Sequence, residues 1–231
     1  MNEYIPSRFS RRGFLTGITA SLLSSASLDI LTPPSLSAQT TLTPEEALKA
    51  LLDGNERFVA GRMTSFDEDL KILKARTIDK QEPFAAVLSC ADSRVPVEII
   101  FDQTIGHIFV TRVAGNMATS EVIASLEYGA AVLGTKVILV LGHQNCGAVK
   151  ATMQGKQVPG QISALYPYIQ PAADEAGGDL EKAIQTNARI QAHLLRESSP
   201  VLASLVKENK LKVVAGQYNL ASGKVSLLEG A

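Results

Sequence analysis

Short runs of consecutive apolar residues alternate with longer amphipathic stretches over most of the chain. Four of these runs predict buried strands, at residues 84–89, 108–111, 137–141 and 211–215. Because each run is continuous rather than alternating, it is typical of a strand covered on both faces. Stretches with helical spacing separate the runs, which predicts an α/β fold with a mostly parallel central sheet flanked by helices. A fifth run at residues 225–228 follows a short turn and predicts an antiparallel edge strand.

An N-terminal helical arm is predicted before the first strand. Thr43 occupies the N-cap position, Pro44 lies in the first turn, and Glu46 follows three residues after the threonine, which is a capping box. The helix is predicted to run to about residue 61. Its apolar face, which suits either the core of the subunit or a partner subunit, consists of Leu48, Leu51, Leu52 and Phe58.

The remaining helices are predicted from spacing and from breakers. They lie at residues 95–101, 120–133, 147–153 and 179–205, and Pro200 must break the last of them. Residues 67–80 are predicted to be a solvated helix or a loop. Residues 166–178 are rich in Pro, Ala and Gly and are predicted to be a loop.

The pattern of residues at the beginning of the chain is typical of a targeting signal. Residues 10–16 are S-R-R-G-F-L-T, and the moderately apolar run that follows contains hydroxyl residues and Asp29. An arginine pair before such a run is typical of a twin-arginine export signal, and Asp29 makes the run a poor membrane anchor. We expect residues 1–38 to be a signal peptide, cleaved near residues 36–38, and residues 39–231 to be the mature domain. An uncleaved anchor is the alternative, and the expected location is the periplasm, a thylakoid lumen or the extracellular space.

Composition and charge exclude several other classes of protein. The chain has 231 residues, of which 45% are hydrophobic and 19% charged, as in a globular domain. Its net charge is -1, and no block of five like charges occurs, so a nucleic-acid interface is unsupported. Two cysteines allow at most one disulfide, so the fold must rest on a hydrophobic core.

Metal-ligating side chains follow two of the predicted strands. Cys90 comes directly after the first strand, and His143 and Cys146 come after the third. The carboxyl ends of parallel strands lie at one edge of a sheet, so these side chains are expected to meet there. Thiolate and imidazole are zinc ligands, which predicts one Zn²⁺ in this place. Two alternatives stay open, namely simple core packing of the three residues and a disulfide between the cysteines.

Asp92 and Arg94 lie in the same loop as Cys90. The Asp92 carboxylate lies beside the cluster and is a possible fourth zinc ligand. If it bound the metal, it would close the site. The arginine fork can instead hold the carboxylate in a bidentate pair, which would open the fourth position to water. A simple brace of the loop is the alternative role of the pair.

With C-x-D-S-R and H-x-x-C-G after successive buried strands, the chain resembles the β-class carbonic anhydrases. Weaker similarities in the same order lie at residues 54–58, 112–116 and 127–129. The resemblance implies zinc-dependent, reversible hydration of carbon dioxide by zinc-bound hydroxide, with Asp92 and Arg94 as the catalytic dyad. It also implies that Gln81 binds substrate across a subunit interface. The expected assembly is a homodimer or tetramer with the active site at the interface, where the N-terminal helix embraces the partner.

Two alternatives to this function remain. The same scaffold also hosts hydrolysis of carbonyl sulfide or carbon disulfide, and a zinc ion closed by Asp92 would suit a non-catalytic zinc-binding module. Some members of the family hold inhibitory bicarbonate beside a tryptophan, but that position is Val87 here and the chain has no tryptophan. The sequence therefore favours the permanently open type of zinc site.

Overall fold

A computed structural model describes residues 40–65, 67 and 70–229 of the chain. The predicted signal peptide lies outside these residues. The described part contains one sheet of five strands in the order β2-β1-β3-β4-β5. The strands are β1 (Ala85–Ser89), β2 (Ile108–Arg112), β3 (Val137–His143), β4 (Lys212–Tyr218) and β5 (Val225–Leu227). The first four are parallel and β5 is antiparallel to β4, which confirms the predicted α/β architecture.

Helices flank the sheet, and all of them except α6 lie where the sequence predicts a helix or, for α2, a helix or a loop. They are α1 (Pro44–Val59), α2 (Leu70–Thr77), α3 (Val97–Ile100), α4 (Ser120–Glu127), α5 (Gly147–Gln154), α6 (Tyr166–Ala176), α7 (Leu180–Ser198) and α8 (Pro200–Lys207). A π-helical turn, Tyr128–Val132, extends α4, and a 3-10 helix, Gly160–Leu165, precedes α6. Among the described residues, no helix has the length and apolar character that crossing a membrane requires.

The helical arm packs on its own subunit. The predicted capping box is present, with the Thr43 hydroxyl accepting from the Glu46 N–H and the Glu46 carboxylate accepting from the Thr43 N–H. Leu48 and Leu51 are buried in the core beside β1 and β3. The apolar face of α1 therefore belongs to the core of the subunit, which was one of the two predicted roles.

Burial differs between the strands. All residues of β1 and β3 are buried, as the continuous apolar runs predict. The prediction of cover on both faces is wrong for β2, whose residues are half-buried or exposed because fewer elements cover this edge of the sheet. It is also wrong for β4, in which buried and half-buried residues largely alternate. In the parallel register Ser89 lies beside both Leu141 and Arg112, so the loops after β1, β2 and β3 adjoin.

The predicted loop at residues 166–178 is wrong, because most of it forms α6. Pro167 fits the first helical turn, where its missing N–H has no helical acceptor to lose. The buried residues Ile169, Ala172 and Ala176 recur at helical spacing on the face that packs against α7. Pro171 lies inside the helix, and packing of the buried face compensates for the helical hydrogen bond that a proline cannot make.

Candidate active site

Three metal-ligating side chains converge at the carboxyl edge of the sheet, as predicted. Cys90 follows the last residue of β1, His143 ends β3, and Cys146 is the N-cap residue of α5. All three are buried, and their ligand atoms lie within 4.8 Å of one another. Residues that are 56 positions apart in sequence thus share one site because β1 and β3 are neighbours.

The imidazole of His143 is held in one tautomer. Its Nδ1 lies 3.0 Å from the backbone carbonyl oxygen of Gln144, and a carbonyl can only accept, so Nδ1 carries the proton. The lone pair is therefore on Nε2. This nitrogen is buried and has no hydrogen-bond partner, which is costly unless a cation binds there.

The two thiols differ in acidity. A hydrogen bond from Cys146 is the main cause that lowers the pKa of Cys90, burial opposes the shift, and His143 and the Gly115 N–H lower the pKa further. The same hydrogen bond, together with burial and the adjacent negative charge, raises the pKa of Cys146. A cation between the sulfurs would favour the thiolate form of both.

A zinc ion fits these residues. Zinc binds sulfur at about 2.3 Å and nitrogen at about 2.0 Å, so the ligand atoms of a tetrahedral site lie roughly 3.5 to 4 Å apart. The ligand atoms here lie within 4.8 Å of one another, close enough for small side-chain shifts to bring all three onto one ion, and the unpartnered Nε2 of His143 gives the ion a ready donor. Core packing alone does not explain such convergence. Both cysteines are free thiols, so the structure does not contain the alternative disulfide.

Asp92 and Arg94 form a bidentate pair at the rim of the cluster. The Arg94 Nε donates to Asp92 Oδ1 at 2.9 Å, and Nη2 donates to Oδ2 at 2.8 Å. The Arg94 backbone N–H also donates to Oδ1. The side-chain hydrogen bonds from Arg94 are the main cause that holds the pKa of Asp92 well below its ordinary value. Oδ2 is also 3.8 Å from Nε2 of His143, so the carboxylate faces the metal-ligating atoms while Arg94 holds it.

Arg112 restrains the loop that carries Cys90 and Asp92, a role that sequence reasoning missed. From the end of β2, its Nε donates to the Cys90 carbonyl oxygen at 3.0 Å and its Nη2 to the Asp92 carbonyl oxygen at 2.6 Å. The only signal in the sequence was the similarity of residues 112–116 to the family. That similarity did not indicate which carbonyl groups the guanidinium binds.

Gln81 is not brought into the site of its own subunit. It is exposed and precedes β1, at the amino edge of the sheet, whereas Cys90 follows β1 at the carboxyl edge. Five strand residues span about 16 Å at 3.3 Å per residue. A glutamine side chain cannot bridge that distance, so any contact of Gln81 with substrate requires a second subunit.

The fold and the site together define a class of protein: an α/β domain that can bind zinc through two cysteines and one histidine at the carboxyl edge of a parallel sheet. The family model described as Carbonic anhydrase matches residues 85–225. A carbonic anhydrase from Mycolicibacterium smegmatis is 36% identical over 194 residues, which cover 80% of this chain and 93% of the relative. The chain belongs to the β-carbonic anhydrase family.

Two further comparisons agree with this assignment. Carbonic anhydrase 2 from Mycobacterium tuberculosis is 34% identical over 192 residues, covering 80% of this chain and 92% of the relative. Among solved structures, the β-carbonic anhydrase CcaA matches with a TM-score of 0.63 at 25% identity, covering 79% of this chain and 95% of that one. The similarity therefore extends over nearly all of the described residues.

Proposed function

We propose that this protein catalyses the reversible hydration of carbon dioxide to bicarbonate and a proton, with one zinc ion held by Cys90, His143 and Cys146. The observation that carries the proposal is the bidentate pair of Asp92 and Arg94 beside the three ligand atoms. A carboxylate engaged by Arg94 leaves the fourth zinc position to water, as catalytic zinc sites require. The mycobacterial relatives are named carbonic anhydrases, which supports the same activity here.

The residues of the chain have distinct tasks in this reaction. When bound, zinc lowers the pKa of a coordinated water toward neutrality and so supplies the nucleophile. Asp92 accepts a hydrogen bond from the attacking oxygen and turns a lone pair toward the carbon of the substrate. Arg94 fixes both carboxylate oxygens, and Arg112 fixes the backbone on either side of the loop. The attack thus takes place in a preorganised geometry.

Replacing Asp92 by Asn tests the role of the pair. Asparagine keeps the size of the side chain but loses the negative charge and one acceptor oxygen. We expect bound zinc to be unchanged and kcat/KM for hydration to fall by at least about 100-fold. Stopped-flow hydration at matched zinc content measures this. Asp53→Asn, a change on the exposed face of α1, is the control, and full activity in Asp92→Asn would refute the assigned role.

We propose that the partner subunit's Gln81 donates a hydrogen bond to the substrate oxygen that gains negative charge. Its position at the opposite edge of the sheet supports action across an interface rather than within one subunit. The exposed apolar side chains of the neighbouring α2 region, Leu70, Ile72 and Ile78, support a homodimer or larger assembly.

Mixing two inactive variants tests action across the interface. In a mixed dimer of Gln81→Leu and Asp92→Asn subunits, the site with an intact Asp92 receives an intact Gln81 from its partner. We therefore expect activity to return on mixing and subunit exchange, measured by stopped-flow hydration. If Gln81 acted within its own subunit, both sites of the mixed dimer would be defective. Absence of recovery in mixed dimers verified by mass would refute the proposal.

The alternative substrates and the non-catalytic role have separate tests. Rates with carbon dioxide, carbonyl sulfide and carbon disulfide on the same zinc-loaded sample decide the substrate. Activity confined to the sulfur compounds would overturn the assignment. A zinc-loaded protein inactive with all three would support a binding module closed by Asp92.

We propose that the protein is exported through the twin-arginine pathway and acts in the periplasm or an equivalent compartment. The proposal rests on Arg11 and Arg12 before an apolar run. Zinc binding before export would protect both thiols from oxidation, which suits a pathway for folded proteins. Changing both arginines to lysine in the full chain should retain the protein in the cytoplasm. Export of that variant would refute the pathway.

A further inference from the structure

The loop from Val113 to Ala118, between β2 and α4, has a demanding backbone. Gly115 and Asn116 are consecutive residues with positive φ, at 79° and 44°. Glycine suits the positive φ at position 115, and a Cβ there would lie 2.6 Å from Cδ1 of Ile169, so any other residue would also force that buried side chain to shift. The positive φ of Asn116 carries a cost, because only glycine adopts it freely, and surrounding contacts must hold that residue in place.

The Gly115 peptide groups connect the zinc site to α7. The Gly115 N–H donates to the Cys90 sulfur at 3.3 Å. The Gly115 carbonyl oxygen accepts from Nδ2 of Asn187 at 2.9 Å. Two hydrogen bonds, one to each of the peptide groups that flank the Gly115 Cα, therefore link a residue in the middle of α7 to the sulfur of a candidate zinc ligand.

Gln191, one helical turn after Asn187, continues this chain. Its Nε2 donates to Asn187 Oδ1 at 3.3 Å and to the Tyr168 carbonyl oxygen at 3.1 Å. Its Oε1 accepts from the Ala118 N–H at 2.9 Å. Both amide side chains are only 1% exposed. Together the two amides bind the loop at Gly115 and at Ala118 and link it to α6. Each of these hydrogen bonds joins a donor to an acceptor.

We propose that Asn187 and Gln191 are positioning residues for zinc binding, because they hold the Gly115 N–H toward the Cys90 sulfur. A buried thiolate needs partial positive charge around it, and an N–H already fixed in place supplies this without reordering when the ion binds. Without the two amide side chains the loop is less ordered before zinc binds. Ordering it on binding then costs free energy, and the affinity for zinc falls. The inference rests on the zinc site of the proposed function but not on the hydration of carbon dioxide.

The test compares two buried asparagines in the mature chain. Asn187→Leu removes the donor to Gly115, whereas Asn55→Leu removes an equally enclosed amide on α1 that binds the Ile100 and Gly223 carbonyls and the Val225 N–H. Competition with a chromophoric chelator measures zinc affinity. We expect Asn187→Leu to weaken zinc binding about tenfold, the lower range for loss of such outer contacts. Asn55→Leu should lower the melting temperature and leave the affinity unchanged.

Replacing zinc by cobalt gives an absorption band from the sulfur ligands whose energy does not depend on the stability of the fold. Without the N–H contact, the Cys90 thiolate holds its electrons less tightly, so the sulfur-to-cobalt charge-transfer band should shift to lower energy in Asn187→Leu and stay in place in Asn55→Leu. Gln191→Met should cause a smaller change in the same direction, because it acts through Asn187 and Ala118. If Asn187→Leu does not fold, Gln191→Met decides the question.

Unchanged zinc affinity and an unchanged cobalt band in the folded variant would overturn the inference, even if the variant is less stable. Equal losses of affinity in Asn187→Leu and Asn55→Leu would also overturn it, because the effect would then be general destabilisation. A wild-type protein that binds zinc but does not hydrate carbon dioxide would instead refute the proposed function and leave this comparison valid.

Discussion

Replacing Asp102 by Asn is expected to lower the free energy of unfolding near neutral pH, and to lower it by a smaller amount in acid. The Asp102 side chain is fully buried after α3 and accepts hydrogen bonds from Arg57 Nε at 2.6 Å and from the Thr64 and Ser65 N–H groups at 2.9 and 2.8 Å. It ties α1 and the segment after it to α3. Asp102 has a positive φ of 46°, which asparagine also tolerates, so the substitution changes the charge without adding backbone strain.

The expected loss follows from the pKa of this carboxyl. Burial by itself raises the pKa, but the hydrogen bonds from Arg57, Ser65 and Thr64 outweigh it and lower the pKa from 3.8 to about 2. At 1.36 kcal/mol per pKa unit, the difference is about 2 kcal/mol of stability. Because the pKa is lower in the folded state, this contribution is complete above about pH 4 and disappears as the pH falls toward 2. At pH 3 about 1 kcal/mol remains.

Urea unfolding at pH 7 and at pH 3 measures this difference, with protein concentration and zinc content matched. Asp53→Asn is the control, because Asp53 pairs with Lys49 on the exposed face of α1 and such pairs contribute about 0.5 kcal/mol or less. We expect the gap between wild type and Asp102→Asn to narrow by about half between the two pH values. A gap below 0.5 kcal/mol at pH 7, or one that widens in acid, would refute the reasoning.

Three further changes test the cap and the metal site. Ser199→Ala removes a buried hydroxyl that accepts from the Leu202 N–H at the start of α8 and donates to Glu127. We expect the free energy of unfolding, measured in urea, to fall by about 1 to 2 kcal/mol. An unchanged free energy of unfolding would show that this hydroxyl does not stabilise α8. Cys146→Ser should reduce bound zinc far below one ion per chain by elemental analysis, and full occupancy would show that Cys146 is not a ligand. Removing zinc with a chelator should lower the melting temperature reversibly, since a ligand present at 100 times its Kd adds about 2.7 kcal/mol to the free energy of unfolding. An unchanged melting temperature would exclude a stabilising metal.

Local signals in the sequence predicted most of the secondary structure. The capping box at Thr43 marks the start of α1, and Pro200 marks the boundary between α7 and α8, because both act through their immediate neighbours. The loop predicted at residues 166–178 was wrong, since tertiary packing of Ile169 against the rest of the protein outweighs the poor helix propensity of its prolines.

The convergence of the three candidate zinc ligands was predictable for a similar reason. Cys90, His143 and Cys146 follow recognisable buried strands, and the rule that functional groups gather at the carboxyl edge of a parallel sheet places them together. Pairing of Asp92 with Arg94 was one of two arrangements compatible with the sequence. The structure has the bidentate pair, because the two residues lie two positions apart in one tight loop, where their side chains can meet directly.

The sequence by itself thus determined the strands, most helices and which side chains that can bind a metal converge at one edge of the sheet, because periodicity, caps and strand ends are local properties. Only the tertiary structure decided how the site is supported. Arg112 binds carbonyl groups 22 and 20 residues away, and Asn187 binds one 72 residues away. Such contacts depend on strand register and on how α7 packs over the sheet, and a few ångströms of displacement would remove them, so no pattern along the chain specifies them.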